Sequence, residues 1–273
     1  MAYSIEEMFG VKGRKVIVTG GTSGIGREIA IALAELGAQV AIIGRTKERM
    51  DSTLAELKKR NPTSLGFLVD VYDTEGMKKA YAEVAAAFGT IDGLVNSAGI
   101  LHIEGLDTIS EETFKKVFDI NVKGTILSCK LAGEYMLKNG YGSIVNISSV
   151  STARGKSFYT SYASSKAAID GFTRALGTEW IRKGINVNSV APGLVLTEIN
   201  RQDAALYPHS VQKRIDSIPR GKAGEPSSIV GPVIALLSPA TNHMVGQTIF
   251  VDGGFTVGDM FVMRVPKEEE EEN

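Results

Sequence analysis

Short apolar runs alternate with longer amphipathic segments along nearly the whole chain. Runs of consecutive apolar residues predict buried strands at residues 15–19, 39–43, 65–69, 93–96, 142–147, 185–190 and 248–251. Segments with apolar residues three and four positions apart predict helices at residues 24–36, 47–60, 74–88, 111–137, 162–183 and 226–237. Because the strands are apolar throughout, and not only at every second position, we expect a sheet that is covered on both faces.

The repeated strand–helix alternation predicts the fold class. It indicates an α/β, single-domain Rossmann fold, doubly wound, with about seven parallel strands and helices on both faces. We expect this domain at residues 10–258, after an N-terminal extension at 1–9. The tail at 259–273 ends in a run of glutamates that we expect to be disordered. The long, irregular connection at about 194–222 is typical of a substrate lid.

Composition excludes several function classes. The net charge of -1 and the absence of a basic stripe argue against nucleic-acid binding. No apolar window is long enough for a membrane span, and no secretory signal begins the chain. The single cysteine, Cys129, lies in an apolar helical run, so we expect a core residue in a cytoplasmic protein. The histidines His102, His209 and His243 have no metal-ligand spacing, so we expect no metal.

A glycine-rich loop joins the first predicted strand to the first helix. Its spacing, TGxxxGxG over residues 19–26, allows a tight turn and the approach of a pyrophosphate to main-chain N–H groups at a helix N-terminus. The strand–turn–helix context is the one that this interpretation requires. We therefore predict dinucleotide binding by Gly20, Thr22, Ser23, Gly24, Ile25 and Gly26.

The end of the second strand bears on the choice of dinucleotide. Gly44, Arg45 and Thr46 offer no acid to repel a 2′-phosphate, and a guanidinium can grip that phosphate bidentately. The alternative is that Arg45 is only an exposed residue at the start of a helix. We predict that NADP(H) is preferred, bound by Arg45 and Thr46, and that NAD(H) is possible.

A tyrosine and a lysine lie four residues apart in a predicted helix. Tyr162 and Lys166 would share one helix face, and Ser149 follows the strand at 142–147, where such a sheet opens its ligand crevice. Together with the glycine loop, these residues resemble the short-chain dehydrogenase/reductase family over about residues 10–258. Further matching pieces follow in family order: Asp70-Val71, Asn96-Ser97-Ala98-Gly99, Asn121, Pro192-Gly193 to Thr197, and Val251-Asp252-Gly253-Gly254.

The resemblance implies an oxidoreductase and assigns roles to residues. Tyr162 would be the acid/base, with its pKa lowered by Lys166 and by the oxidised nicotinamide; Ser149 would hold the substrate oxygen, and Asn121 would hold a relay water. An alternative for Asn121 is a helix-kink residue. The remaining residues implied for the cofactor are Asp70, Val71, Asn96, Ala98, Gly99, Pro192, Gly193, Val195 and Thr197, with Tyr162 and Lys166.

The substrate is less well defined by the sequence. Predicted substrate-binding residues are His102, Ser149, Ser151, Arg154, Tyr159 and Tyr162, and further pocket candidates are Leu101, Ile103, Phe158, Arg201, Lys213 and Arg214. We expect a small polar compound such as a sugar acid or polyol, as for gluconate 5-dehydrogenases. The alternatives are a 3-oxoacyl-acyl-carrier-protein reductase and a non-catalytic dinucleotide sensor. The family resemblance also implies a homotetramer.

Overall fold

The chain forms one twisted sheet of parallel strands. The computed structural model describes residues 4–197 and 208–258. Its strands are β1 (Lys15–Thr19), β2 (Gln39–Gly44), β3 (Leu65–Leu68), β4 (Gly93–Asn96), β5 (Gly142–Ile147), β6 (Ile185–Pro192) and β7 (Thr248–Val251). Their order across the sheet is β3-β2-β1-β4-β5-β6-β7, and every neighbouring pair is parallel. The predicted seven-stranded, doubly wound sheet is confirmed.

Helices connect the strands and cover the sheet. They are α1 (Ile5–Phe9), α2 (Gly24–Glu35), α3 (Lys47–Arg60), α4 (Thr74–Phe88), α5 (Glu111–Phe118), α6 (Gly124–Asn139), α7 (Thr160–Trp180), α8 (Pro208–Asp216) and α9 (Ser227–Leu237). None of the helices in the described part of the chain combines the length and the apolar character that crossing a membrane requires.

Two separate apolar cores lie on the two faces of the sheet. Alternate residues of β1 show the arrangement, because Val16 and Val18 pack into the core under α2, α3 and α9, whereas Ile17 packs into the core under α4, α6 and α7. All three side chains are fully buried. This double burial is the physical reason for the apolar strand sequences, as the sequence pattern predicted.

The single helix predicted at 111–137 is wrong in one respect. A π-turn, Asp119–Lys123, separates α5 from α6, and the N–H of Gly124 donates to the main-chain oxygen of Asp119, five residues earlier. The apolar periodicity continues through the turn, which is why the pattern did not reveal it. Such π-bulges occur frequently at functional sites.

The N-terminal segment contains a short helix. In α1, the Ser4 hydroxyl accepts a hydrogen bond from the main-chain N–H of Glu7, and the Glu7 carboxylate accepts one from the Ser4 N–H. This capping box fixes where the helix begins. The predictions for residues 198–207 of the lid, which include Arg201, for the side chain of His209 and for the tail at 259–273 fall outside the described residues.

Candidate active site

A large cavity opens at the carboxyl ends of the strands. Its volume is about 920 Å³, and the loops after β1 to β6 form its walls. The cavity spans the position where the strand order reverses between β1 and β4. Ligands of open α/β sheets bind in this crevice, because the strands on either side are connected in opposite directions and their loops diverge.

Most of the predicted cofactor residues line this cavity. They are Gly20, Thr22, Ser23, Ile25, Arg45, Thr46, Asp70, Val71, Ala98, Gly99, Tyr162, Lys166, Pro192, Gly193, Val195 and Thr197. Gly24, Gly26 and Asn96 are absent from the walls.

Two glycines of the loop are required by protein packing and not only by a ligand. Gly20 has a φ of +67°, and a Cβ there would lie 2.7 Å from the main-chain nitrogen of Ala98. A Cβ on Gly26 would lie 2.4 Å from the main-chain oxygen of Gly20. Gly26 therefore has a packing role, in which it lets α2 start directly against the loop, and its contact with a cofactor stays a prediction.

The N-terminus of α2 is left open toward the cavity. The N-cap residue, Ser23, makes no side-chain capping bond, and no acidic residue lies in the first turn. The first N–H groups of a helix have no partners within the helix, and the helix dipole favours an anion there. Together with the size of the cavity, this uncapped end fits the pyrophosphate of a dinucleotide.

The ribose end of the cavity carries two arginines. Nη1 of Arg45 lies 3.8 Å from Oδ2 of Asp70, and the Arg45 side chain is 59% exposed. Arg49, on the first turn of α3, lines the same wall and was missed in the sequence. Its position one helical turn after Arg45 was the available signal.

The Asn96 side chain is buried and lies outside the cavity lining, so a cofactor contact by this residue stays a prediction. Its Nδ2 donates to Oδ1 of Asn146 at 2.9 Å and contacts Sγ of Cys129 at 3.2 Å. Asn146 in turn donates to Oγ1 of Thr173 on α7 at 2.9 Å. These side chains tie β4, β5 and α7 together. Burial raises the pKa of the Cys129 thiol to about 12, as is typical of an unreactive core cysteine.

Three of the predicted catalytic residues meet on one wall. Ser149 follows the end of β5, whereas Tyr162 and Lys166 lie on the first turns of α7. The Ser149 hydroxyl lies close enough to the Tyr162 phenol to act on the pKa of that phenol, which it lowers. Nζ of Lys166 lies 5.9 Å from the centre of the Tyr162 ring and donates to the main-chain oxygen of Ile147 at 2.7 Å. The arrangement can bind an oxygen between two hydroxyl groups and exchange a proton with it.

The titration of this cluster differs from the expectation for Tyr162. Burial raises the pKa of the Tyr162 phenol, although its bond to Ser149 acts in the opposite direction. Burial also lowers the pKa of Lys166 to about 8, partly offset by Asp170. Desolvation therefore dominates both groups in this structure, and the lowering of the tyrosine pKa by Lys166 together with an oxidised nicotinamide stays a prediction.

Asn121 sits within the π-turn and clamps a neighbouring loop. Its Oδ1 accepts from the N–H of Ile100 at 2.8 Å, and its Nδ2 donates to the Ile100 oxygen and to Oγ of Ser165, both at 3.0 Å. Asn121 is fully buried and does not line the cavity. The geometry fits the alternative of a residue at a helix irregularity, and a water-relay role stays a prediction.

The predicted substrate residues lie together beside this cluster. His102, Ser149, Ser151, Arg154, Tyr159 and Tyr162 all line the cavity. The hydroxyl groups of Ser148 and Ser151 are buried without a hydrogen-bond partner, and Ser148 was missed because only Ser149 has the motif position. Nη1 of Arg154 donates to the main-chain oxygen of Phe255, so part of its donor set is engaged by the protein.

Two further pocket candidates are corrected by the structure. Phe158 does not line the cavity; its side chain is 61% exposed and its φ of +67° is unusual for a residue other than glycine. Lys213 likewise does not line the cavity, whereas Arg214, on the next position of α8, does. A one-residue step on a helix turns a side chain by about 100°, which decides which of two neighbouring cations faces inward.

Acidic groups and metal ligands are sparse here. The described residues contain no group of three histidine, cysteine, aspartate or glutamate side chains that could hold a metal ion. His102 instead pairs with Glu104, with Nε2 and Oε2 2.7 Å apart.

Comparisons with known proteins agree with this geometry. A family model described as enoyl-(acyl carrier protein) reductase matches residues 20–256. Galactitol 2-dehydrogenase (L-tagatose-forming) of Cereibacter sphaeroides is 36% identical over 252 residues, 92% of this chain and 98% of that protein. The 3-oxoacyl-[acyl-carrier-protein] reductase FabG of Staphylococcus aureus (strain Mu50 / ATCC 700699) is 34% identical over 242 residues, 88% of this chain and 97% of that protein.

A solved structure extends the similarity to three dimensions. A putative NAD(P)-dependent gluconate 5-dehydrogenase from Beutenbergia cavernae, with bound NADP at low occupancy, has a TM-score of 0.85 and 34% identity. It covers 92% of this chain and 100% of the other. With the family model spanning most of the chain and relatives above 30% identity along nearly their whole length, the chain belongs to the short-chain dehydrogenase/reductase family of oxidoreductases.

Proposed function

We propose that this protein interconverts a secondary alcohol and a ketone, with NADP(H) as the preferred cofactor and Tyr162 as the acid/base. The observation that supports the proposal is the meeting of Ser149, Tyr162 and Lys166 on one wall of the cavity. Two neutral hydroxyl groups side by side can hold one substrate oxygen. The Tyr162 phenol then donates a proton to that oxygen in reduction, or accepts one from it in oxidation.

Lys166 has two roles in this proposal. Its ammonium, fixed by the Ile147 oxygen, lies beside the Tyr162 ring and stabilises the phenolate that forms when the proton leaves. It also lines the cavity, where its remaining donors can bind ribose hydroxyl groups. A bound nicotinamide would supply or accept the hydride.

The preference for NADP(H) rests on the ribose end of the cavity. Arg45 and Arg49 line this end, and the acid present, Asp70, lies beside Arg45 and not at the end of β2. A 2′-phosphate would meet two guanidinium groups there, whereas a free 2′-hydroxyl would have no carboxylate from β2 to bond. NAD(H) binding is expected to be weaker.

The proposed substrate is a small polar compound, either a sugar acid or a polyol. The unpartnered hydroxyl groups of Ser148 and Ser151 and the phenol of Tyr159 give the substrate wall several hydrogen-bonding groups. The names of the galactitol and gluconate dehydrogenases support this class.

The second candidate is a 3-oxoacyl-acyl-carrier-protein reductase. The similarity to FabG favours it. Against it, Gly140 and Thr178 occupy the positions where we align the carrier-binding arginines of such enzymes. A non-catalytic sensor is a third candidate, but it has no need for Ser149, Tyr162 and Lys166 together.

The assembly and the remaining segments are also proposals. We place α5, α6 and α7 at a dyad of a cytoplasmic homotetramer, and we assign residues 194–222 to a substrate lid over a single domain at 10–258. Light scattering tests the assembly, and a monomer would contradict it.

One assay tests the proposed reaction. Purified protein is supplied with NADP⁺ or NAD⁺ and a panel of polyols and sugar acids, and with NADPH and 3-oxoacyl thioesters, while absorbance at the nicotinamide band is followed. We expect reduction of NADP⁺ by members of the first panel. Turnover of only the thioesters would favour the second candidate, and no turnover of either panel would contradict the enzymatic proposal.

A further inference from the structure

The cavity contains a second lysine–tyrosine pair beside the catalytic one. Nζ of Lys156 lies 3.0 Å from the hydroxyl of Tyr159 and 4.3 Å from the centre of its ring. The Tyr159 ring packs edge-on against the Tyr162 ring, with 6.1 Å between their centres. Both members of the second pair line the cavity. The Tyr159 ring therefore lies between the Lys156 ammonium and the proposed acid/base, Tyr162.

The Lys156 ammonium is held in place by a neighbouring side chain. Tyr159 is buried, and its hydroxyl and ring fix the Lys156 ammonium between them. The Lys156 ammonium has no ion pair with an acidic side chain among the described residues, which leaves charge available for a ligand.

The backbone between Lys156 and Tyr159 is strained at Phe158. Phe158 has a φ of +67°, in the left-handed region that bulky residues rarely adopt. Its main-chain oxygen accepts from the N–H of Glu104, in the loop after β4, at 2.9 Å. Strain of this kind persists where the surroundings enforce it and is concentrated at ligand sites.

The charges of the cavity are separated by sign and position. Asp70 is the acidic residue of the described lining, and it lies beside Arg45 at the ribose end. The wall near Tyr162 carries Arg154, Lys156 and Arg214 instead. Positive charge at this end of the cavity does not attract a neutral polyol, whereas it attracts an anionic substrate.

We propose that Lys156 and Tyr159 bind the carboxylate of the substrate, so that the physiological substrate is a hydroxy or keto acid and not a neutral polyol. This inference rests on the proposed function and narrows it. The ammonium and the phenol O–H provide one donor for each carboxylate oxygen, and the ammonium balances the charge.

The test compares a matched acid and alcohol. Binding of D-gluconate and of D-glucitol to the protein saturated with NADPH, which cannot accept a hydride from either compound, is measured by calorimetry for wild type and for Lys156→Met. We expect wild type to bind gluconate more tightly, and Lys156→Met to weaken gluconate binding by about tenfold, the lower end for loss of a charged hydrogen bond. Binding of glucitol should change less than twofold.

Four further measurements separate the effect of the charge from an effect on the fold. Lys156→Arg should recover most of the gluconate affinity, and Tyr159→Phe should lose part of it while keeping the ring packing. The control Lys183→Met removes the same charge from the exposed turn Ile181–Lys183, outside the cavity lining, and should leave both affinities unchanged. The wild-type preference for gluconate should decrease with added salt.

The outcomes distinguish this inference from the proposed function. Equal binding of the acid and the alcohol by wild type, or equal weakening of both by Lys156→Met, would overturn the carboxylate site. Oxidation of polyols but not of sugar acids would overturn it as well, and would leave the oxidoreductase proposal intact. Loss of turnover for every substrate, with the charge-dependent binding retained, would overturn the proposed reaction alone.

Discussion

The Lys166 ammonium on α7 lies 2.7 Å from the main-chain oxygen of Ile147, the last residue of β5. This contact joins the helix that carries Tyr162 to the strand that precedes Ser149. The end of β5 and the start of α7 therefore fix the distance between the hydroxyl groups of Ser149 and Tyr162, and no flexible loop does so. Lys166 has one strong acceptor, but the rest of its surroundings excludes water. Keeping its ammonium charged therefore costs free energy of folding.

Replacing Tyr162 with phenylalanine should abolish most of the turnover. The ring would still pack against Tyr159, but the proton donor would be absent, so we expect kcat to fall at least about a hundredfold. Dinucleotide affinity, measured by fluorescence titration, should change little. A phenylalanine variant with full kcat would contradict the acid/base role.

Replacing Arg45 with aspartate should reverse part of the cofactor preference. The variant loses a bidentate phosphate partner and gains an acceptor for a 2′-hydroxyl, so the ratio of kcat/KM for NADP⁺ to that for NAD⁺ should fall about ten- to a hundredfold. The control is Lys58→Asp, which makes the same change of charge at an exposed position of α3 outside the cavity lining. An unchanged ratio in Arg45→Asp would remove Arg45 from the phosphate site.

The buried Lys166 should make stability depend on alkaline pH. Its pKa is about 8 in the folded chain, against an ordinary value of 10.5, so the unfolded chain binds more protons between these values. The free energy of unfolding should therefore rise as the pH increases from about 8 to 10.5. The same contribution is lost as the pH falls through 8.

Urea unfolding without cofactor measures this effect. Between pH 7 and pH 10, the free energy of unfolding of wild type should rise by about 2–3 kcal/mol relative to Lys166→Met, in which the group is missing. Parallel pH curves for the two proteins would mean that the ammonium is solvated and not buried.

Removing the acceptor at Thr173 should destabilise the fold. Thr173→Val keeps the shape of the side chain but leaves Nδ2 of Asn146 without a partner in the core, at a cost of about 1–3 kcal/mol. Thr178→Val on the same helix is the matched control, because its hydroxyl is exposed and bonds only the Arg174 oxygen. Its effect should stay within about 0.5 kcal/mol. Equal effects of the two substitutions would show that the buried chain of amides contributes nothing specific.

The strands and most helices follow from the sequence because their signal is local. A parallel strand that is buried on both faces must be apolar at every position. An amphipathic helix must carry apolar residues at the period of its turn. Each element can therefore be predicted from its own residues. Ser149, Tyr162 and Lys166 were predicted from the family resemblance, because their motifs follow a strand end and open a helix in the family order.

The sequence alone determined the fold class, the family resemblance and the identity of the hydroxyl groups and ammonium that meet in the cavity. Only the tertiary structure decided that Asn96 faces the core and Asn121 clamps Ile100, that Arg49 and Lys156 reach the cavity, and that Phe158 does not. The direction of a side chain and the desolvation of Tyr162 and Lys166 depend on neighbours distant in sequence. No local pattern encodes them, because they arise only when separate elements pack.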